Sequence, residues 1–182
     1  MLRLALLLHD IAKPATFTRG EDGKGHFYNH GELGAAQARA ILLRLKSDTA
    51  TLENVVTLVR VHDDAFPTTR PGMRRCIGRL GIPVIEQLFK VKRADQAAQS
   101  SHEQEQKKAA LRDAALLVDE LLNEPPGFTV KDLNINGKDL ISIGIKPSPA
   151  MGQLLLTLLG EVQDELLPNT REALLERVKM LV

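Results

Sequence analysis

The sequence has little cysteine, few aromatic residues and no tryptophan. Cys76 is the only cysteine among the 182 residues, so no disulfide can form within the chain. A chain without disulfides is typical of a reducing compartment, and we expect a cytoplasmic protein. No apolar run is long enough to span a bilayer, so we expect no membrane partner. The 24 Lys and Arg residues nearly balance the 23 Asp and Glu residues, which gives no overall nucleic-acid signal.

The scarcity of aromatic residues and of β-branched runs favours an all-α fold. Strong helix formers (Ala, Leu, Glu, Gln, Lys and Arg) dominate the sequence. The exception is "TFTRGEDGKGHFY" at 16–28, whose glycines between short Thr, Phe and Tyr segments predict a small β-hairpin turning near Asp22-Gly23. Pro125-Pro126-Gly127 is the strongest break. We therefore predict a helical domain at 1–123, a linker at 124–134 and a small helical subdomain at 135–182.

Helix boundaries near the start of the chain follow from local signals. Residues 2–12 are apolar nearly all round, and Pro14 is predicted to end this helix. Asn29 and Glu32 have the spacing of a capping box, which predicts the start of a helix that runs to Leu45.

Five histidine and aspartate side chains fall at predicted helix ends or on predicted inward faces. A carboxylate on an apolar helix face is costly unless it is paired or binds a metal. Imidazole with carboxylate suits Mn²⁺, Fe²⁺, Zn²⁺ or Mg²⁺, and such a site can activate water and bind a phosphoryl oxygen. The spacing alone leaves two interpretations open, a metal site or capping and core side chains without a metal. The five residues are His9, Asp10, His30, His62 and Asp95.

The same residues carry a resemblance to a known family. "LLLHDIAKPATFT", followed by "GHFYNHGELGAAQARAIL", resembles the HD-type metal-dependent phosphohydrolase domain. The form it resembles most is the C-terminal body of bacterial CCA-adding enzymes and related poly(A)-polymerase-family tRNA nucleotidyltransferases. The later segments "VVTLVRVHDD", "KRADQAAQS" and "LNINGKDLISIGIKPSPAMGQLLLTLLGEVQDELLPNTREALLERVK" resemble the continuation of that family, so the resemblance runs through nearly the whole chain.

The resemblance implies an HD-domain helical bundle with a small β-hairpin insertion. It implies that His9, Asp10, His30, His62 and Asp95 bind one or two divalent ions (Mn, Fe, Ni, Mg or Zn). Asp10 and Lys13 would be catalytic, although Ala12 stands where the family pattern has Gly. The implied reaction is hydrolysis of phosphate esters, such as nucleotide monoesters or 2′,3′-cyclic phosphates, by a metal-activated water.

Two expected parts of the family pattern are missing from this sequence. HD domains usually supply another histidine from a preceding helix, and tRNA nucleotidyltransferases carry a catalytic head. We therefore expect a partial chain that adds no nucleotides by itself and has a weakened metal site.

Two groups of basic residues are candidate phosphate or RNA contacts. Arg74 and Arg75 belong to a locally basic stretch, and arginine suits bidentate phosphate contacts. Lys138 and Lys146 lie in the segment that resembles the tRNA-facing part of CCA-adding enzymes. Solvated surface charge is the alternative for both groups. These residues also support the alternative function, a non-catalytic tRNA-binding body whose catalytic head is absent from this chain.

Overall fold

The computed structural model describes residues 1–21, 23–98 and 104–182, and it confirms an all-α fold with one small β-hairpin. In chain order the elements are α1 (Leu2–Leu8), α2 (Lys13–Thr16), β1 (Phe17–Arg19), β2 (Gly25–Phe27), α3 (His30–Arg44), α4 (Thr49–Val61), α5 (Arg70–Leu80), α6 (Ile82–Ala98), α7 (Gln104–Leu122), a 3₁₀-helix (Val130–Asp132), α8 (Gly137–Ser142), α9 (Pro149–Gln163) and α10 (Arg171–Leu181).

The chain forms two compact units. The first unit contains Met1–Ala65 and Ile82–Leu111, and the second contains Phe66–Gly81 and Arg112–Val182. The segment that holds α5 thus belongs with the C-terminal residues. The domain boundaries given from the sequence stay a prediction. None of the helices within the described residues is long and apolar enough to cross a membrane.

The first unit is built around α4. Helices α1, α3 and α6 all pack against it, and six of its apolar side chains are buried, which explains why its apolar positions recur on more than one face. These buried residues are Leu52, Val55, Val56, Leu58, Val59 and Val61.

The second unit has its own apolar core. Side chains from α8, α9, α10 and the segment before α8 bury one another, at positions Leu133, Ile135, Leu140, Leu158, Leu159, Val162, Leu174 and Val178.

The hairpin pairs Phe17 with Phe27 in antiparallel register. Gly23 has φ +77°, a conformation that glycine adopts without steric cost, so it supports the predicted turn. Asp22, the other predicted turn residue, lies outside the described residues.

Two local predictions are wrong. Helix α1 ends at Leu8, before Pro14. Pro14 lies instead in the first turn of α2, a position where its missing N–H costs nothing. The Asn29–Glu32 capping box does not form: Asn29 has φ +60° and its side chain makes no capping hydrogen bond within the described chain. Glu32 instead accepts a hydrogen bond from Nε of Arg60 at 3.1 Å, a partner on α4 that sequence spacing cannot reveal.

Two glycines let the start of α3 approach the end of α4. A Cβ atom at Gly31 would lie 2.5 Å from the carbonyl oxygen of Arg60, and one at Gly34 would lie 3.3 Å from Cγ1 of Val59. The contact at Gly31 involves backbone, which cannot rotate away. The close approach of the two helices therefore depends on the missing side chain.

We predict that Gly31→Ala lowers the free energy of unfolding by about 1–3 kcal/mol, because the added methyl group forces α3 away from α4. Urea denaturation followed by circular dichroism measures this loss. Gly160→Ala is the matched control, since Gly160 is also helical and a Cβ there meets nothing within 4 Å. The control should be neutral or stabilising by up to about 1 kcal/mol. Equal stability of Gly31→Ala and wild type would contradict the prediction.

Candidate metal centre

Three histidines of the first unit lie at helix ends, and each makes the same kind of local hydrogen bond. His9 follows α1, His30 is the first residue of α3, and His62 follows α4. In each case Nδ1 lies 2.7–2.8 Å from the carbonyl oxygen three residues earlier in the chain. A carbonyl oxygen only accepts, so each Nδ1 carries the proton and donates it. The neutral rings then present an unprotonated Nε2. The three carbonyls belong to Leu6, Phe27 and Val59.

The Nε2 atoms of His30 and His62 face each other at 3.1 Å. If both Nδ1 atoms carry the only ring protons, this contact joins two lone pairs and repels. A proton or a cation near the two atoms removes the repulsion. Burial lowers the pKa of His62, and the neighbouring His9 and His30 rings lower it further, so the proton is disfavoured there. A metal cation would complement this pair.

Asp10 brings a carboxylate to the same place. Its Oδ1 lies 3.5 Å from Nε2 of His62 and 3.8 Å from Nε2 of His30. This oxygen is buried and has no hydrogen-bond partner among the described residues. The other oxygen, Oδ2, accepts a hydrogen bond from Nζ of Lys13 at 2.7 Å. Burial alone would raise the pKa of Asp10, but the hydrogen bond and charge of Lys13, together with the neighbouring His9 and His62, bring it below its usual value. Asp10 is therefore ionised at neutral pH.

His9 connects Asp10 to Asp95. Its Nε2 lies 3.3 Å from Oδ2 of Asp10 and 3.4 Å from Oδ1 of Asp95, on α6. Neither contact has the geometry of a hydrogen bond, and Nε2 of His9 is a second buried atom without a hydrogen-bond partner in the described part of the chain. Ligand atoms of His9, Asp10 and His62 all lie within 4.8 Å of one another.

The structure thus brings all five predicted ligand residues into one connected cluster. Its chemistry fits a divalent cation: imidazole nitrogens with fixed lone pairs and an ionised carboxylate converge, and two buried atoms have no hydrogen-bond partner among the described residues. Histidine-rich sets with carboxylates favour Mn²⁺, Fe²⁺, Ni²⁺ or Zn²⁺ over Mg²⁺, which prefers oxygen ligands. That these residues bind a metal stays a prediction.

The hairpin borders this cluster and carries exposed aromatic residues, which entered the sequence analysis only as a signal for strands. The chain has five phenylalanines and one tyrosine, and three of these six lie at the hairpin. Phe17 is 55% and Tyr28 is 68% exposed. Nζ of Lys13 lies 5.5 Å from the centre of the Phe27 ring, so Lys13 links the hairpin to Asp10. The clustering of aromatic residues in an aromatic-poor sequence was the available signal.

The four predicted phosphate contacts have different surroundings. Arg74 is 7% exposed and its Nη2 lies 2.5 Å from Oε2 of Glu124, while Arg75 is paired with Asp164. Both guanidinium charges are therefore balanced inside the second unit. Lys138 and Lys146 are exposed, and neither has an ion pair among the described residues.

Comparisons with known proteins place the chain in a family. Residues 27–178 match the family model described as "tRNA nucleotidyltransferase domain 2 putative". The chain is 33% identical over 170 residues to an A-adding tRNA nucleotidyltransferase of Deinococcus radiodurans, which covers 89% of this chain and 38% of the relative. It is also 33% identical over 172 residues to a CC-adding tRNA nucleotidyltransferase of Thermus thermophilus, with 93% of this chain and 37% of the relative covered.

No solved structure matches the chain. The chain spans less than two fifths of the length of these two relatives, which are 37–38% covered. The family match nevertheless extends over most of the sequence. This chain therefore belongs to the tRNA nucleotidyltransferase domain 2 family.

Proposed function

We propose that the first unit is an HD-type domain that binds a divalent cation and hydrolyses phosphate esters, such as nucleotide monoesters or 2′,3′-cyclic phosphates. The observation that carries this proposal is the convergence of three histidine Nε2 atoms on the Asp10 carboxylate. Those of His30 and His62 lie near Oδ1, which has no hydrogen-bond partner among the described residues, and that of His9 lies near Oδ2. The ligands would be His9, Asp10, His30, His62 and Asp95. When bound, the cation would polarise a phosphoryl oxygen and lower the pKa of a water molecule.

The protein's own residues would orient the ester and balance its charge. Each histidine is held in one tautomer by its carbonyl partner, so its lone pair needs no rearrangement. Asp10 holds Lys13 at the edge of the cluster through the 2.7 Å hydrogen bond. From there the ammonium group of Lys13 would stabilise negative charge that develops on a phosphate oxygen.

We predict that Asp10→Asn reduces metal-stimulated phosphate-ester hydrolysis by at least about 100-fold, the usual scale for removing one preorganised charged group from such a site. The substitution keeps the size of the side chain but removes its charge. The assay compares hydrolysis of p-nitrophenyl phosphate and of a 2′,3′-cyclic nucleotide with added Mn²⁺ or Ni²⁺. Asp113→Asn makes the same change at an exposed position of α7 and should leave the rate unchanged. Equal rates for wild type and Asp10→Asn would refute hydrolysis at this site.

The second candidate function is binding of tRNA by a non-catalytic body. Two observations favour it: both relatives are named tRNA nucleotidyltransferases, and the chain corresponds to only part of each. The exposed Lys138 and Lys146 are the candidate contacts, because Arg74 and Arg75 are already paired with carboxylates. The two candidates are compatible, since they use different units.

We predict that the double variant Lys138→Glu, Lys146→Glu weakens tRNA binding and lowers its salt dependence. Each lost phosphate contact reduces the slope of log affinity against log salt by about one, because fewer counterions are released. Fluorescence anisotropy of labelled tRNA at several salt concentrations measures both effects. Lys179→Glu, at an exposed position of α10, is the control for charge reversal alone. Identical salt slopes for wild type and the double variant would exclude this surface.

A further inference from the structure

Lys92 contacts the main chain of one proposed metal ligand. It lies on α6, one turn before Asp95, and its Nζ donates a hydrogen bond to the carbonyl oxygen of His62 at 2.6 Å. In the sequence it is one member of a basic run, with nothing to separate it from Lys90 or Arg93. In the structure Lys90 is exposed, whereas Lys92 is partly buried.

The hydrogen bond from Lys92 to the carbonyl of His62 is favourable because that carbonyl lies at the end of a helix. Helix α4 ends at Val61, so the carbonyl of His62 has no partner within that helix. The end of a helix also carries partial negative charge, which an ammonium group balances. Burial lowers the pKa of Lys92, while the acidic groups of Asp63, Asp64 and Asp95 oppose that change. The ammonium group of Lys92 thus interacts with the carbonyl group at the end of α4 and attracts these carboxylates.

The ring of His62 is fixed from two sides. Its Nδ1 donates to Val59 within the same chain turn, which sets the ring relative to α4. The Lys92 bond sets the His62 main chain relative to α6, the helix that carries Asp95. We propose that Lys92 is a positioning residue that fixes the distance between the His62 and Asp95 ligands of the metal centre. This inference rests on the proposed metal site and adds a residue to it.

Two other roles for Lys92 make different predictions. If Lys92 acts only through its charge, removing it strengthens cation binding, because an ammonium group near the site repels the metal. If it serves only the stability of the fold, removing it lowers the melting temperature and leaves metal affinity unchanged. A positioning role predicts weaker metal binding and a changed environment of the His62 ring.

The decisive variant is Lys92→Met, which keeps the length of the side chain and removes the donor. We expect its affinity for Mn²⁺ or Co²⁺, measured by calorimetric titration, to fall about 10–100-fold, as for other groups that orient ligands. The absorption spectrum of bound Co²⁺ should change as the His62 ligand moves. Lys92→Arg retains an N–H donor and should recover most of the affinity. Lys90→Met removes the same charge from the same helix and should change affinity by no more than about twofold.

A second measurement needs no metal. The ring ¹⁵N resonances of His62 in the metal-free protein should shift in Lys92→Met and stay in place in Lys90→Met. Circular dichroism confirms folding first, and Lys92→Gln, whose amide reaches less far, replaces Lys92→Met if that variant does not fold. Unchanged His62 resonances, or metal affinity equal to or above that of wild type, would overturn the positioning role. If the wild type binds no metal, the metal site itself is rejected. The ¹⁵N resonances of His62 in the metal-free protein then still test whether Lys92 positions His62.

Discussion

The candidate site depends on one repeated interaction, the hydrogen bond from a histidine Nδ1 to the carbonyl three residues before it. This bond occurs at His9, His30 and His62. It is local in sequence, so each ring takes its orientation and tautomer from its own stretch of chain. The packing of the first unit then has only to bring three chain segments together for three lone pairs to converge. A metal site that needs a defined tautomer would obtain it here without a long chain of supporting side chains.

Helix packing brings the oriented side chains together. The end of α4 carries His62 and meets the start of α3, which carries His30, because Gly31 and Gly34 leave room for the neighbouring main chain and side chains. Helix α6 packs on α4 and brings Asp95, while α1 packs on α4 and α6 and brings His9 and Asp10. Helix α4 is the apolar centre of the hydrophobic core, and it contacts α1, α3 and α6. The packing of this core therefore determines where the cluster lies. A change in this core would reach the site through the helix ends.

Much of this arrangement could be predicted from sequence, because burial leaves a periodic trace. The all-α fold, the hairpin and the inward position of Asp95 follow from composition and spacing. Contacts between residues distant in sequence could not be predicted: Glu32 bonds to Arg60 in place of its own helix start, and Arg74 pairs with Glu124. The role of Lys92 could not be predicted for the same reason, since its partner is a carbonyl thirty residues away. Sequence patterns predict which face of a helix is buried, but they do not predict which residues of other elements contact that face.

The free energy of the cluster bears on both candidate functions. Buried polar atoms without partners, such as Nε2 of His9 and Oδ1 of Asp10, each cost about 1–3 kcal/mol, and facing lone pairs add to that cost. Apolar side chains of the same size would avoid this cost. A cation bound by these atoms would also offset it. Metal binding therefore fits a tRNA-binding body as well as a hydrolase, and only turnover separates the two.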